Sequence, residues 1–379
     1  MVGSFQVTKR DGNARLGRFE TALHGGFDTP NFMPVGTRGS VKGVDMGHLL
    51  QVGAQIMLVN TYHLWLRPTP ATVQKLGGIH TFVGWNGPML SDSGGFQVFS
   101  LKGIRKLSEE GVEFRSHIDG AKMFLSPEGS IQIQETLGVD IAMAFDECPA
   151  GDLPHDQVAR SLELTHRWAK RSLAARQTDR TALFGITQGG IFPDLRARAA
   201  EQIGALPFDG VAIGGLSVGE RKEHMYEVLS YHPKQLPDGK IHYLMGVGTP
   251  EDIVEAVYNG VDLFDCVMPT RSGRTGRAYI DGPLPFINIK NAFHAESTEP
   301  LDSTCDCFTC TRHSRGYLNH LFRVQEMLGP QLLSIHNLRY YLRLMERIRT
   351  AIGEGTFHEL HRAERARWKD FSDLVESTP

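Results

Sequence analysis

The pattern that most restricts the fold is a succession of eight short apolar segments between residues 31 and 271, each ending at polar or glycine-rich residues. They are NFMPVGT, AQIMLVNTYH, PMLSDSGGFQ, VDIAMAFDEC, ALFGITQGG, GVAIGGLSVGE, IHYLMGVGT and VDLFDCVMPTR. Stretches with helix signals, such as PDLRARAAEQIGAL, separate most of them. Continuous apolar strands that alternate with helices indicate a parallel sheet. The number and length of the units predict a (β/α)8 barrel, with an open doubly wound sheet as the alternative.

A barrel of this kind builds its active site at the carboxyl ends of the strands, so polar residues there are candidates. The last six segments end near Asp92 and Ser93, Asp146 and Cys148, Gln188, Gly214 and Gly215, Met245, and Asp265. Any one of these residues could cap a helix or form a turn. As a set they are expected to converge on one mouth, because the SGGF, ECP and CVMP sequences around the three carboxylates are not typical caps.

Three carboxylates, a glutamine and two glycines around one pocket are compatible with glycosyl chemistry on a nucleobase. Paired acids usually cleave glycosidic bonds, one as nucleophile and the other as proton carrier. A glutamine, an aspartate and exposed backbone N–H groups suit the edge of a purine. Phe96 and Met245 could enclose a flat ring, although an aromatic residue and a methionine beside strands more often belong to the core.

A cysteine cluster near the C-terminus has the spacing Cys305-x-Cys307-x2-Cys310. Five cysteines, an odd number, argue against a secreted disulfide framework, and clustered thiols in a reducing compartment more often bind metal. With one histidine the cluster makes a Cys3His set that leaves no position for a reacting water, so we predict a structural Zn2+ site. The candidates for the fourth ligand on spacing are His313, His320 and His336.

The net charge of −3 at pH 7 gives no general support for nucleic-acid binding, so contact with RNA or DNA requires a local basic surface. The stretch TRSGRTGR, soon after Asp265, offers one through Arg271, Arg274 and Arg277. The alternative is a flexible glycine-rich basic loop without a partner. The chain starts without the layout of a signal peptide, and no apolar run reaches the roughly 18 residues that span a bilayer, so we expect a cytoplasmic protein.

A chain of 379 residues has room for one large α/β domain with an appendage. The cysteine cluster and the two amphipathic stretches after it predict a small zinc-binding subdomain beside the last strand. We therefore expect a catalytic barrel over 1–290, a zinc-binding subdomain over 291–350, and a helical segment over 351–379 that packs on the barrel.

A string of motifs resembles the bacterial tRNA-guanine transglycosylases of the queuine tRNA-ribosyltransferase family. In the order of that family, they are SDSGGFQVFS (91–100), AFDECP (144–149), GITQGG (185–190), GGLSVGE (214–220), YLMGVGTP (243–250), DLFDCVMPTRSGR (262–274) and the C-x-C-x2-C…H zinc set. The resemblance covers essentially the full length and implies a barrel with a zinc subdomain. It also implies that guanine at the anticodon wobble position of tRNAs for aspartate, asparagine, histidine and tyrosine is replaced by 7-aminomethyl-7-deazaguanine, a precursor of queuosine.

The resemblance assigns roles by position. Asp265 matches the nucleophile that forms a covalent link to the ribose, and Asp92 matches the proton carrier. Glu220 and the Leu216–Ser217 peptide match a backbone switch that presents a donor or an acceptor to the base. The matched base-binding positions are Ser93, Phe96, Asp146, Cys148, Gln188, Gly214, Gly215, Leu216, Val218 and Met245, of which Phe96 and Met245 are the stacking walls. The matched RNA-binding positions are Arg271, Ser272, Gly273 and Arg274, and the matched zinc ligands are Cys305, Cys307, Cys310 and His336.

Two details of the resemblance favour the bacterial branch. Relatives that use the larger base queuine carry a small residue at the position of Val218 and differ where this chain has DEC. Archaeal relatives usually carry an additional C-terminal RNA-binding domain, for which 379 residues leave no room. Family members form homodimers, and the helix with Tyr317 and His320 is the expected contact.

Two interpretations from other classes stay open. A barrel glycoside hydrolase explains the paired carboxylates but not the zinc set or the arginine-rich stretch. A non-catalytic zinc-containing RNA-binding subunit resembles inactive partners in the family, but it is expected to lack the nucleophile, whereas Asp92 and Asp265 are both present. Because one N-glycosidic bond replaces another, the exchange needs no ATP motif, and a covalent intermediate predicts ping-pong kinetics.

Overall fold

The computed structural model describes residues 2–100 and 105–376. Its strands, in chain order, are β1 (Ser4–Asp11), β2 (Ala14–Glu20), β3 (Gly26–Thr29), β4 (Asn31–Met33), β5 (Val35–Gly36), β6 (Met57–Val59), β7 (Met89–Ser91), β8 (Arg105–Leu107), β9 (Val112–Arg115), β10 (Lys122–Leu125), β11 (Ile141–Met143), β12 (Ala182–Thr187), β13 (Gly210–Ile213), β14 (Ile241–Leu244), β15 (Leu263–Asp265), β16 (Arg277–Tyr279) and β17 (Phe286–Asn288).

Its helices, in chain order, are α1 (Met46–Gln51), α2 (Thr61–Leu66), α3 (Pro70–Lys75), α4 (Gly78–Val83), α5 (Gly95–Ser100), α6 (Pro127–Leu137), α7 (His155–Ala175), α8 (Pro193–Gly204), α9 (Lys222–Tyr231), α10 (Pro250–Tyr258), α11 (Met268–Thr275), α12 (Phe308–Arg312), α13 (Arg315–Arg323), α14 (Leu328–Glu354) and α15 (Phe357–Glu376). Across the described ranges, none of these helices combines the length and the apolar character needed to cross a membrane.

The largest sheet is parallel and nearly closed on itself. Its strand order is β4-β15-β14-β13-β12-β11-β7-β6-β5. The strands β4 and β5 are consecutive parts of one barrel position separated by Pro34, whose carbonyl oxygen accepts a hydrogen bond from the backbone N–H of Leu58 at 3.0 Å. Because β4 pairs with β15 and β5 pairs with β6, the sheet forms eight positions around a barrel. The predicted barrel is confirmed, and the open doubly wound alternative is wrong.

The barrel helices begin at the prolines and capping side chains that were predicted as helix starts. The Ser126 side chain accepts a hydrogen bond from the backbone N–H of Gly129 at 3.1 Å, and Pro127 opens α6. The Thr249 side chain likewise caps α10, which also begins with proline. Strand β12 is buried at all six residues, as expected for a strand with helices outside and side chains inside.

The antiparallel sheet β1-β2-β3 closes the amino end of the barrel. Phe19 and Phe27 are fully buried among the inward-facing strand residues, and the Phe19 ring lies 5.5 Å from that of Phe184. Asp140, directly before β11, joins this sheet to the barrel because it contacts His24 Nδ1 at 2.8 Å and His80 Nε2 at 2.9 Å. The sheet therefore fills the end of the barrel opposite the carboxyl ends of the strands.

A second antiparallel sheet, β8-β9-β10, is inserted between β7 and β11. Its buried residues Val112, Phe114 and Leu125 pack against the aromatic side chains of Phe145 and Trp168. The sequence analysis did not predict this sheet. It lies beside the carboxyl end of β7, where Asp92 follows the strand.

The C-terminal part of the chain packs on the last barrel unit. Helix α14 lies against α11 so closely that a Cβ atom on Gly273 would fall 2.7 Å from the backbone nitrogen of Ser334. Helix α15 contacts α10 and α14. The boundary expected at residue 350 falls within α14, which ends at Glu354. The division of the chain into three parts stays a prediction.

Candidate active site

A cavity of about 350 Å³ opens at the carboxyl ends of the barrel strands. Thirteen residues singled out from the sequence line it, namely Asp92, Ser93, Phe96, Asp146, Cys148, Gln188, Gly214, Gly215, Leu216, Val218, Met245, Asp265 and Arg271. Four others from the same set, Glu220, Ser272, Gly273 and Arg274, are not among the lining residues. The strand ends thus bring the expected side chains together, while their individual roles stay predictions.

Asp265 ends strand β15 on one side of the cavity. Its Oδ1 atom accepts hydrogen bonds from the hydroxyl of Tyr243 at 2.6 Å and from the backbone N–H of Gly246 at 2.8 Å. Burial raises the pKa of this carboxyl, and the two donors lower it in part. The hydrogen bonds also fix one oxygen, which leaves Oδ2 as the atom available to a substrate.

Asp92 follows β7, and it is close enough to Asp265 for the charge of that residue to affect its pKa. Its Oδ1 atom accepts from the backbone N–H groups of Thr61 at 2.9 Å and Gly94 at 3.2 Å. The side-chain amide of Asn60 donates to Oδ2. Burial raises the pKa of Asp92 to about 7, the charge of Asp265 adds to this rise, and the backbone donors oppose it. Two carboxyls in one pocket with the pKa of one near neutrality are suited to nucleophile and acid–base roles.

A third carboxyl, Asp146, forms one edge of the cavity together with Gln188. The Gln188 Nε2 atom donates to Asp146 Oδ2 at 2.7 Å, and the Ser93 hydroxyl lies 3.4 Å from Oδ1. Burial raises the pKa of Asp146 to about 6 and that of the neighbouring Cys148 thiol to about 12. Cys148 is therefore a neutral thiol rather than a nucleophile. No described residue gives the buried Gln188 Oε1 atom a hydrogen bond, so this acceptor is available to a ligand.

The loop after β13 carries the predicted backbone switch. Glu220 accepts hydrogen bonds from the backbone N–H groups of Ser217 and Val218, the latter at 2.9 Å. In a trans peptide the N–H and C=O groups point in opposite directions. The carbonyl oxygen of Leu216 therefore points away from Glu220, and the peptide stands in its acceptor orientation.

Helix α11 covers most of the arginine-rich stretch and Arg277 begins β16, so the interpretation as a flexible loop is wrong, while its binding to RNA stays a prediction. Arg271 is exposed at the cavity mouth, whereas Ser272 is 4% exposed and Gly273 lies against α14. Arg274 is half-buried, and its buried Nη1 atom has no hydrogen-bond partner in the part of the chain that the structure describes. Arg277 lies over the ring of Phe286, with its guanidinium carbon 4.1 Å from the ring centroid. Of the four predicted RNA-binding positions, only the two arginines present side chains that a phosphate could reach.

The cysteine cluster converges with one of the three candidate histidines. The ligand atoms of Cys305, Cys307, Cys310 and His336 all lie within 4.8 Å of one another. His336 Nδ1 is 3.2 Å from the sulfur of Cys310, and its Nε2 atom contacts the carbonyl oxygen of Tyr279 at 2.6 Å. The carbonyl fixes the proton on Nε2 and leaves the Nδ1 lone pair for a metal. The donor set fits a structural zinc ion, with His336 rather than His313 or His320 as the fourth ligand.

His24, His80 and Asp140 form another compact group, at the amino end of the barrel. The two imidazole rings stack with centroids 3.6 Å apart and an angle of 14° between their planes. Because the ring nitrogens bind along lone pairs in the ring plane, nearly parallel rings cannot both direct them at one ion. The group is a hydrogen-bonded link between the N-terminal sheet and the barrel.

Several residues that hold the two central carboxylates were missed in the sequence. Asn60 directly follows β6, and its position after a strand was a signal that could have identified it. Tyr243 lies within β14, and Gly246 is in a glycine-containing turn. Neither residue is distinguished by the sequence pattern, because their relevance arises only from contact with Asp265.

Comparison with known proteins identifies close relatives over nearly the whole chain. The family model described as "Queuine tRNA-ribosyltransferase" matches residues 10–370. A protein of that name from Pseudomonas putida is 53% identical over 352 residues, which are 93% of this chain and 94% of the relative. Another from Symbiobacterium thermophilum is 51% identical over 372 residues, 97% of this chain and 92% of the relative. A third, from Caldanaerobacter subterraneus, is 52% identical over 359 residues, 94% of this chain and 95% of the relative.

Proposed function

The chain belongs to the queuine tRNA-ribosyltransferase family, and from that premise we propose that it exchanges guanine at the wobble position of tRNA for 7-aminomethyl-7-deazaguanine. The proposed substrates are the tRNAs for aspartate, asparagine, histidine and tyrosine. The observation that carries the proposal is the arrangement of two central carboxyls, Asp265 and Asp92, beside the Asp146–Gln188 edge.

Asp265 and Asp92 have different roles in the proposed reaction. The free Oδ2 atom of Asp265 attacks the ribose C1′ atom, and the electron pair of the C1′–N9 bond moves to N9 of the departing guanine. Asp92, whose pKa is raised to about 7, then supplies the proton for N9. In the second half, Asp92 takes the N9 proton of the incoming base, which attacks C1′ and releases Asp265. Each half-reaction returns the carboxyls to the states that the next one needs.

The base is held at its edge and on its faces. Asp146 accepts from the donor groups of the guanine edge, while the second N–H of the Gln188 amide and the backbone N–H of Gly215 donate to its oxygen and ring nitrogen side. Phe96 and Met245 lie on the cavity wall as the stacking surfaces. The remaining positions that shape the base pocket are Ser93, Cys148, Gly214, Leu216, Val218 and Glu220.

The RNA is held next to this pocket by helix α11. Arg271 and Arg274 supply positive charge to the phosphates of the anticodon loop, and Ser272 and Gly273 contribute by holding the helix against α14. Single-stranded RNA with an extruded base fits a mouth that is open on one side.

The zinc site, the assembly and the location complete the proposal. Zinc bound by the Cys3His set joins α12 to α14 and, through His336, to the Tyr279 backbone, which is a structural role.

We place the homodimer contact at α13, where Tyr317 is 40% exposed and His320 is also exposed, close in sequence to Met327 at 86%. A cytoplasmic location follows from the proposed tRNA substrate.

One assay tests the function directly. Incubation of the protein with radiolabelled guanine and unmodified tRNA should place label in the RNA, at the wobble position of the four substrate tRNAs. A glycoside hydrolase or a non-catalytic RNA-binding subunit would leave the RNA unlabelled. Transfer RNA that lacks guanine at the wobble position is the control and should take up no label.

A further inference from the structure

Arg196 is a fully buried arginine on α8, directly behind the loop that carries the base-binding glycines. Its guanidinium donates to three backbone carbonyl oxygens, from Nε to Gly190 at 2.7 Å, from Nη1 to Gly214 at 2.9 Å and from Nη2 to Gly215 at 3.3 Å. The acceptors are neutral. Burying a cation without a carboxylate partner costs free energy, so a buried arginine at this place in the fold calls for a functional explanation.

The three hydrogen bonds set the direction of two peptide groups at the cavity wall. The carbonyls of Gly214 and Gly215 point at Arg196, and neither peptide is cis, so the N–H groups of Gly215 and Leu216 point the opposite way. That side is the cavity, where the Gly215 N–H contacts Cys148 and lowers the pKa of its thiol in part. Within residues 2–100 and 105–376, neither N–H donates to a backbone carbonyl.

Glycine is required at position 215 for this arrangement. Its φ angle is +66°, and a Cβ atom there would lie 2.3 Å from Gln188 Oε1. The left-handed conformation allows two successive carbonyls to face one guanidinium. Arg196, Gly215 and Gln188 therefore form one packed unit on the wall of the pocket.

The charge of Arg196 is not balanced by its immediate surroundings. The ionisable groups that face it are Tyr231, Cys148 and Glu220. Burial raises the pKa of both Tyr231 and Cys148, so these two are neutral at pH 7. The Glu220 carboxyl is engaged by the N–H groups of Ser217 and Val218. Burial lowers the pKa of Arg196 to about 10, which still leaves it positively charged at neutral pH.

We propose that Arg196 is a positioning residue that aims the N–H groups of Gly215 and Leu216 at negative charge forming on the departing base. The inference rests on the proposed function. As the C1′–N9 bond breaks, its electron pair passes to N9 and spreads by resonance to O6, while an Asp265 oxygen bonds to C1′. The polarised N–H groups stabilise O6 until the proton from Asp92 reaches N9. Donors fixed in advance where charge develops act most strongly in the transition state.

The test compares leaving bases of different acidity in the full-length, zinc-containing enzyme. RNA hairpins carry either guanine or 8-azaguanine at the wobble position, since the additional ring nitrogen of 8-azaguanine makes its anion more stable. Arg196→Met should lower kcat for guanine release by about 10²-fold to 10³-fold, the usual effect of losing one such donor. The KM for RNA should change by less than about threefold, and the loss with 8-azaguanine should be clearly smaller.

Arg349→Met is the matched control. Arg349 is a partly buried arginine that also donates to a backbone carbonyl, that of Pro30 at 2.8 Å, but at the amino end of the barrel. This variant should lose stability without changing the ratio of rates for the two leaving bases. Equal losses of Arg196→Met with both bases, or a rate within threefold of the unmodified protein, would overturn the proposal.

A second variant decides the matter if Arg196→Met does not fold. Arg196→Lys keeps the charge, but one ammonium group cannot reach three separated carbonyls. Its kcat with guanine should fall by about tenfold, and unchanged rates with both bases would refute the positioning role. An unmodified protein that transfers no labelled guanine would instead overturn the proposed function itself, and the inference with it.

Discussion

Removal of the Tyr243 hydroxyl should move the acid limb of the pH–rate profile without blocking the reaction. The hydroxyl donates to Asp265 Oδ1 at 2.6 Å, and Tyr243 is 1% exposed. A hydrogen bond to a charged group contributes about 1.5–3 kcal/mol. Since one pKa unit corresponds to about 1.4 kcal/mol, Tyr243→Phe should raise the pKa of Asp265 by about one to two units.

The direction of the effect follows from the proposed role of Asp265 as the nucleophile. Its carboxylate has to be ionised to attack the ribose, so the rate falls as the pH drops through its pKa. In Tyr243→Phe this fall should begin about one to two pH units higher than in the unmodified enzyme. In the proposed mechanism, the alkaline limb belongs to Asp92, whose proton is needed by the leaving base, and this limb should stay near neutrality. The pH range of activity therefore narrows, and the maximum rate falls.

The measurement is the rate of covalent enzyme–RNA adduct formation between pH 4.5 and 9, under kcat/KM conditions that report the free enzyme. Tyr341→Phe is the matched control, because its buried hydroxyl donates to the backbone carbonyl of Gly248 at 2.7 Å and not to a carboxylate. It should cost about 1 kcal/mol of stability and leave both limbs in place. An acid limb of Tyr243→Phe that coincides with that of the unmodified enzyme would refute the reasoning.

Three further outcomes are expected. Asp265→Asn should give no denaturant-resistant enzyme–RNA adduct on a denaturing gel and lose guanine exchange by at least about 10⁴-fold, and an adduct that persists would exclude Asp265 as the nucleophile. Cys307→Ser should lower the zinc content found by elemental analysis and the thermal midpoint, whereas full zinc loading would contradict the ligand set. The unmodified protein should reject queuine, and Val218→Gly should gain measurable queuine use by removing about three carbons from the pocket wall; competition between the bases measures this, and efficient queuine incorporation by the unmodified protein would contradict the pocket assignment.

The barrel and the contents of its mouth could be predicted from the sequence because both depend on local signals. A strand that is buried on both faces reads as a continuous apolar run, and the polar residue at its end marks the mouth. Asp92, Asp146 and Asp265 were found in this way. Proline, serine and threonine indicated where the helices between the strands begin.

The missed features depend on contacts between distant parts of the chain. Phe19 contacts Phe184 across more than one hundred and sixty positions, and no local pattern indicates that β2 enters the barrel. Tyr243 looks like an ordinary inward-facing strand residue until Asp265 is placed above it. The arginine-rich stretch was open to interpretation as a loop because of its glycines, but Gly273 serves close packing with Ser334 inside a helix.

The two phenylalanines that fill the amino end of the barrel restrict the path by which the two bases enter and leave. Phe19 and Phe27 fill that end, so guanine has to leave by the same mouth through which its replacement arrives. In the proposed reaction, the RNA lies across that opening while its ribose is bound to Asp265. On this proposal, the anticodon loop has to move away from the opening once in every turnover, while one covalent bond holds the ribose. A barrel open at both ends could let one base enter while the other leaves at the far end. In this barrel, guanine has to leave before its replacement can enter.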